Sequence, residues 1–222
     1  MTDIRQADTT KDSLEGAVLP DTFPEDADVS AYIAKDMENE IRHGMCVSLL
    51  AGKVAREMKL DHSFCHDIEI AGMLHDIGKL RISRYIYGRS ENTMQIEELQ
   101  YLRRHSSLGY DILKQQGFSE DICDMVLYHH ENYDGSGYPY NLMRDDIPLG
   151  ARIIRVCDVF AALSSDRPYR EAFSFEKATE MMIDEVKEFD MKIFLAFQNV
   201  IHTEDIKEEL LAIKEQKFMT MQ

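Results

Sequence analysis

Residues 129–139 read HHENYDGSGYP. Two adjacent histidines open the stretch. Gly135, Gly137 and Pro139 close it in a form that regular helix cannot take. Upstream, ICDMVLY at 122–128 has helical apolar spacing, with Glu120 and Asp121 in its first turn, where the helix dipole favours acids. The histidines therefore stand at the end of a helix, and the loop after them is constrained by its own glycines and proline. Adjacent histidines beside a shaped loop suggest metal ligands next to a recognition surface. The same helical period recurs on both sides, and no run shows convincing strand alternation. The class is all-α.

Working outward, Tyr32, Ile33, Met37, Ile41, Met45, Val47 and Leu50 keep near-helical spacing from about Ser30 to Met58. Ser63 is a plausible N-cap for a helix over Phe64–Leu80, with Gly78 marking its end. Residues 81–92 read as an irregular basic loop. Thr93–His105 reads as a helix with Glu97 and Glu98 early and Arg103 and Arg104 late, as the dipole favours. Ser107–Gln116 is a short helix closed by Gly117, and Ser119–Glu131 feeds the opening stretch. Pro148 precedes a helix from about Gly150 to Leu163, and two or three more helices fill 175–218. There are no repeats and no long linker. One domain over 29–222 follows a polar, acidic lead at 1–28, which reads as disordered and dispensable.

The chain of 222 residues carries a net charge of −16, which argues against binding nucleic-acid backbone. The excess lies at the ends: residues 1–29 hold eight acidic residues against two basic, and 171–222 hold twelve against six. The middle is nearly balanced and can accept an anionic ligand. Four cysteines at 46, 65, 123 and 157 form no CxxC pair and fit reduced core residues of a cytoplasmic protein. No signal-peptide or membrane-length apolar run is present, so no membrane partner is expected.

Five of the eight histidines stand on or at the ends of helices: His43, His75, His105, His129 and His130. Asp76 follows His75 in AGMLHDIGK, and Asp158 interrupts the apolar helix RIIRVCDVFAAL. A carboxylate in such surroundings is costly unless paired or bound to a cation. Any one of these residues alone reads as an ordinary core or surface group; seven together do not. His62, His66 and His202 show nothing convergent. Five imidazoles and two carboxylates exceed the four ligands of one zinc ion and suit two divalent ions sharing a carboxylate. Mixed N/O ligation without thiolate favours Fe or Mn, with Zn possible. Two such ions generate a bridging hydroxide and stabilise both oxygens of a phosphoryl displacement. Lys79, one turn after His75–Asp76, can reach a phosphate oxygen. Arg167 and Arg170 in SSDRPYR can clamp further phosphate.

His43, HDIGK at 75–79, HSSLG at 105–109, HHENYDGSGYP and DVFAALSSDRPYR at 158–170, in this order, resemble the HD-GYP subgroup of HD-domain metal-dependent phosphohydrolases. Its members are bacterial phosphodiesterases that open cyclic di-GMP. The resemblance covers about residues 30–200. It implies an HD-domain helical bundle with additional C-terminal helices, and His43, His75, Asp76, His105, His129, His130 and Asp158 as metal ligands, with Asp76 bridging. It further implies Lys79 as a phosphate contact active in catalysis, Tyr138 as an aromatic that stacks on guanine, and Arg167 and Arg170 as a phosphate-contacting pair. Two positions depart from the pattern. Some members carry a Glu four residues before the first His, where this chain has Asn39; Glu38 and Glu40 flank it about 100° away on the helix, so the site is read as dinuclear. The family commonly has Arg after HHE, where this chain has Asn132. Such domains usually follow a sensory or receiver domain, where this chain has a short acidic lead, so input is missing or comes from a partner; the partners expected are a homodimer or a separate regulatory or sensory protein. The expected activity is hydrolysis of a cyclic dinucleotide, either cyclic di-GMP or mixed cyclic GMP-AMP. The alternatives are a non-catalytic scaffold that binds cyclic dinucleotide or protein, and an HD-type hydrolase of other nucleotides.

Overall fold

A computed structural model describes residues 29–86, 100–166 and 170–216, with side chains placed from Met37 to Ile82 and through the two later stretches. The expected lead at 1–28, most of the basic loop, most of the 93–105 helix, and Arg167 lie outside them. Among the described residues the chain is helical: α1 is Val29–Glu57, α2 His62–Leu74, α3 Lys79–Ile86, α4 His105–Gln115, α5 Glu120–Leu127, α6 Leu149–Leu163, α7 Phe175–Asp184, α8 Met191–Ile201 and α9 Glu204–Glu215. None of these helices is long and apolar enough to cross a membrane.

The helix starts follow local chemistry. Asp61, rather than Ser63, caps α2 by accepting from the Phe64 N–H at 3.0 Å. Ser119 and Ser174 do the same for α5 and α7, from Ile122 and Lys177. Each such cap satisfies a donor the helix leaves open and contributes on the order of 1 kcal/mol. The 29-residue α1 runs through the bundle and packs against α2, α6 and α8. Its Val47, Leu50, Ala51 and Val54 are fully buried with Ile153, Ile154, Cys157 and Phe160 of α6 and Ile193 and Phe197 of α8. Phe160 lies edge-on to Phe197 at 5.1 Å between centroids, and truncating either to Ala would cost about 3–5 kcal/mol. All four cysteines are buried and free.

The sequence reading needs correction at two breaks. The expected helix 64–80 stops at Leu74; residues 75–78 form a turn, and α3 restarts at Lys79 and takes in the first part of the supposed basic loop. Gly78 is required there by close approach, because a Cβ would lie 1.9 Å from the carbonyl oxygen of His105. The expected helix 119–131 stops at Leu127, so His129 and His130 occupy the turn beyond it.

Candidate metal centre

Five histidines and two aspartates reach one cleft from five places in the chain. Their ligand atoms form two groups: His43, His75 and Asp158, and Asp76, His105, His129 and His130; within each, all ligand atoms lie within 4.8 Å of one another. The turn at 75–78 supplies both His75 and Asp76 and faces the start of α4 across Gly78. Asp158 comes from the middle of α6 and His43 from the middle of α1. His43, His75, His105, His129 and Asp158 are all buried.

Three of the imidazoles are fixed in the same way. The Nδ1 of His75, His105 and His129 donates to the carbonyl three residues earlier, of Gly72, Leu102 and Val126, at 2.8, 2.8 and 2.6 Å. Each ring lies at or just past a helix end or turn, where that carbonyl lacks its usual amide partner. A neutral imidazole with its proton on Nδ1 offers a lone pair at Nε2. Yet the Nε2 of His105 stands 3.3 Å from the Nε2 of His129 and 3.0 Å from that of His130. In the neutral rings of His105 and His129 these are lone pairs pointing at one another, an arrangement that a shared cation makes favourable. The Nδ1 of His43 is buried without a hydrogen-bond partner, and the buried Nε2 of His75 makes no well-aligned hydrogen bond although Asp76 Oδ2 lies 3.2 Å from it. The donor set fits metal.

The electrostatics agree. Burial opposes ionisation of Asp76, but Lys79, His75 and His105 hold its carboxyl well below the usual carboxylate range. Burial likewise opposes ionisation of Asp158, and the His43 hydrogen bond at 2.9 Å with the nearby histidines overcomes it. Burial, then the charges of His75 and His105, pushes His129 down to about 3. Burial also lowers His105 and His130. His75 alone goes up, to about 9, because Asp76 and Asp158 outweigh its burial. The two carboxylates therefore demand positive charge at the group that His75 faces.

Asp76 spans the two groups. Its Oδ2 lies 3.2 Å from His75 and 4.0 Å from His43, and its Oδ1 lies 3.3 Å from His105. The Lys79 ammonium sits 2.8 Å from Oδ2 and is also held by Glu40 at 3.2 Å. Helical angle sets Glu40 about 100° from Asn39, yet its carboxylate reaches Lys79. Asn39 is exposed and accepts from Arg42 at 3.5 Å.

The loop after His130 is braced from within. Glu131, 1% exposed, accepts from the amides of Tyr140 and Leu142 at 2.6 and 3.0 Å. Asn132 accepts from Arg155 of α6 at 2.8 Å and donates to Ser136 at 2.9 Å, so the residue that departs from the family pattern is a buried part of the brace. A Cβ on Gly137 would lie 2.3 Å from the Asn132 nitrogen. The half-buried Tyr138 ring stacks on His130, centroids 4.7 Å apart and planes at 28°. Arg170 is not among these groups: its guanidinium donates to the carbonyls of Ala162, Leu163 and Glu171 and lies over Phe173. Sequence reading missed Glu40 and Glu131, whose roles depend on partners 39 and up to 11 residues away.

Comparisons with known proteins bear on this cleft. A Pseudomonas aeruginosa protein named cyclic di-GMP phosphodiesterase is 34% identical over 160 residues, which cover 72% of this chain and 38% of that protein. A Xanthomonas campestris cyclic di-GMP phosphodiesterase response regulator is 40% identical over 134 residues, covering 60% and 35%. The chain thus spans little more than a third of the length of these relatives. Among solved structures, a Bdellovibrio bacteriovorus protein described as an HDG"Y"P protein superposes with a TM-score of 0.62 at 18% identity, over 75% of this chain and 53% of that one; this likeness shows the fold. The profile of the HD domain family matches residues 27–193. With HDIGK in the turn after α2 and its histidines and aspartates gathered in one cleft, the chain belongs to the HD domain family.

Proposed function

We propose that this chain hydrolyses a cyclic dinucleotide, foremost cyclic di-GMP, to the linear dinucleotide. The observation that carries the reading is Asp76, whose two oxygens face the two ligand groups. In this reading His43, His75 and Asp158 would hold one divalent ion, His105, His129 and His130 would hold a second, and Asp76 stands within reach of both groups. Nitrogen and oxygen donors without thiolate suit Fe or Mn, with Zn possible. Bound there, the ions would lower the pKa of water at the site and neutralise charge on the phosphoryl oxygens.

The chain's own residues do the rest. Asp76 and Asp158 stay ionised and burial keeps His105, His129 and His130 neutral, so that side of the cleft presents lone pairs rather than protons. The Lys79 ammonium, fixed between Asp76 and Glu40, meets a phosphoryl oxygen and offsets charge as the bond from phosphorus to the 3′ oxygen breaks. Water oxygen joins phosphorus, and its proton leaves with the 3′ hydroxyl. The braced loop sets Tyr138 beside the cleft, where the relatives' named substrates would place a base.

The test is turnover of cyclic di-GMP and of mixed cyclic GMP-AMP by anaerobically purified, metal-analysed protein, with the product identified. A linear dinucleotide is expected, faster from cyclic di-GMP. Full metal loading and tight nucleotide binding without hydrolysis would replace the enzyme with a receptor.

A further inference from the structure

The cations around the cleft differ in what already holds them. Lys79 is bound by Asp76 and Glu40. Arg155 is spent on Asn132 and on Glu188 at 3.1 Å. Arg170 is bonded to the carbonyl end of α6. Arg104 lies over Tyr101 at 5.7 Å. Arg103 is exposed, has no carboxylate partner among the described residues, and places its guanidinium 5.2 Å from the centroid of the Tyr138 ring. That ring rests on His130, and the backbone of Leu102, next to Arg103, holds the ring of His105. Arg103 is thus tied by two short routes to the Asp76 group.

We infer that Arg103 binds the second phosphate of the cyclic dinucleotide, the one not being cleaved. This rests on the reading of the cleft as a cyclic dinucleotide site and adds a substrate-binding residue to it. A cyclic dinucleotide carries two phosphates in one ring. When one lies over the ligand groups and Lys79, the other needs a cation nearby, and a guanidinium meets it with two parallel N–H donors. Resting over an aromatic face costs Arg103 little to leave, since exposed contacts of this type are weak. The same face of Tyr138 then becomes open to a base. Sequence alone concealed this role, because arginines at 103 and 104 read as compensation for a helix end.

The experiment compares Arg103→Ala, Arg103→Lys and the neighbouring Arg104→Ala with the unaltered full chain, all metal-loaded. Substrates are cyclic di-GMP and bis(p-nitrophenyl) phosphate, a diester with one phosphate. Binding of a phosphorothioate cyclic di-GMP is measured by calorimetry. Arg103→Ala is expected to raise KM for cyclic di-GMP and weaken analogue binding by roughly ten- to a hundredfold, the range of charge-assisted hydrogen bonds. The loss on the small diester should be at least about tenfold smaller. Arg103→Lys should fall between, and Arg104→Ala should match the unaltered protein. An unchanged KM and analogue affinity in Arg103→Ala, or an equal loss on both substrates, overturns the assignment while cyclic di-GMP turnover by the unaltered protein leaves the broader reading standing. Unaltered protein that cleaves the small diester but neither binds nor cleaves cyclic di-GMP overturns both.

Discussion

The floor of the cleft and its rim are built by opposite rules. On the floor, charge is gathered against its solvation cost: the buried Asp158, the half-buried Asp76 and four buried histidines converge, and three rings are pinned to their own backbone. On the rim, charge is mostly neutralised locally. Glu131 is consumed by loop amides, Arg170 by helix carbonyls, and Arg155 by Asn132 and Glu188. The difference teaches how to read charge near a motif. A charge left without a small local partner is the one to assign to a ligand, and a charge inside the motif is often the motif's own brace.

The largest expected effect lies on the floor. Asp76→Ala removes the oxygens that face both groups, and hydrolysis should fall at least about a thousandfold on any diester, with metal content below that of the unaltered protein. Wild-type turnover with full metal loading in this variant would end the assignment of the floor.

Next comes the brace. Glu131→Ala leaves two loop amides without an acceptor, which should cost about 2–4 kcal/mol in urea unfolding. It should also raise KM for cyclic di-GMP more than for a small diester. Stability unchanged within error would show that the loop holds its shape without Glu131.

Arg170→Ala should be milder. It uncaps the end of α6 and should cost about 1–2 kcal/mol with KM unchanged. A KM increase specific to the cyclic substrate, with no loss of stability, would return Arg170 to the substrate and break the comparison at its clearest point. The smallest effect is expected from a chain beginning at Asp28, whose stability and turnover should stay within about 0.5 kcal/mol and twofold of the full chain. Loss of folding would show that the acidic lead docks on the domain.

Much of this was legible beforehand, and the misreadings share a cause. The helical class, the period of α1, α5 and α6, and all seven floor residues follow from spacing and from polar groups in apolar runs. The break at 75–78 did not, because Ile77 and Leu80 carry the apolar period across it. The turn brings the His105 backbone against Gly78, a tertiary contact that has no local signature. The bonding of Arg170 to the carbonyls of Ala162, Leu163 and Glu171 was hidden for a similar reason: what holds an arginine depends on carbonyls and carboxylates that only the fold brings near. Helical angle alone does not place Glu40, because a glutamate side chain is long enough to turn back to Lys79.

In the proposed metal site, the repeated anchoring of Nδ1 to the carbonyl three residues earlier bears on selectivity among ions. A ring tied to its own turn cannot swing to suit a larger or smaller guest. The aperture between His75, His105 and His129 is therefore set by how far apart their backbone segments stand, through contacts such as the one Gly78 permits. Tuning this protein for a different ion would be a matter of respacing helices rather than exchanging ligands.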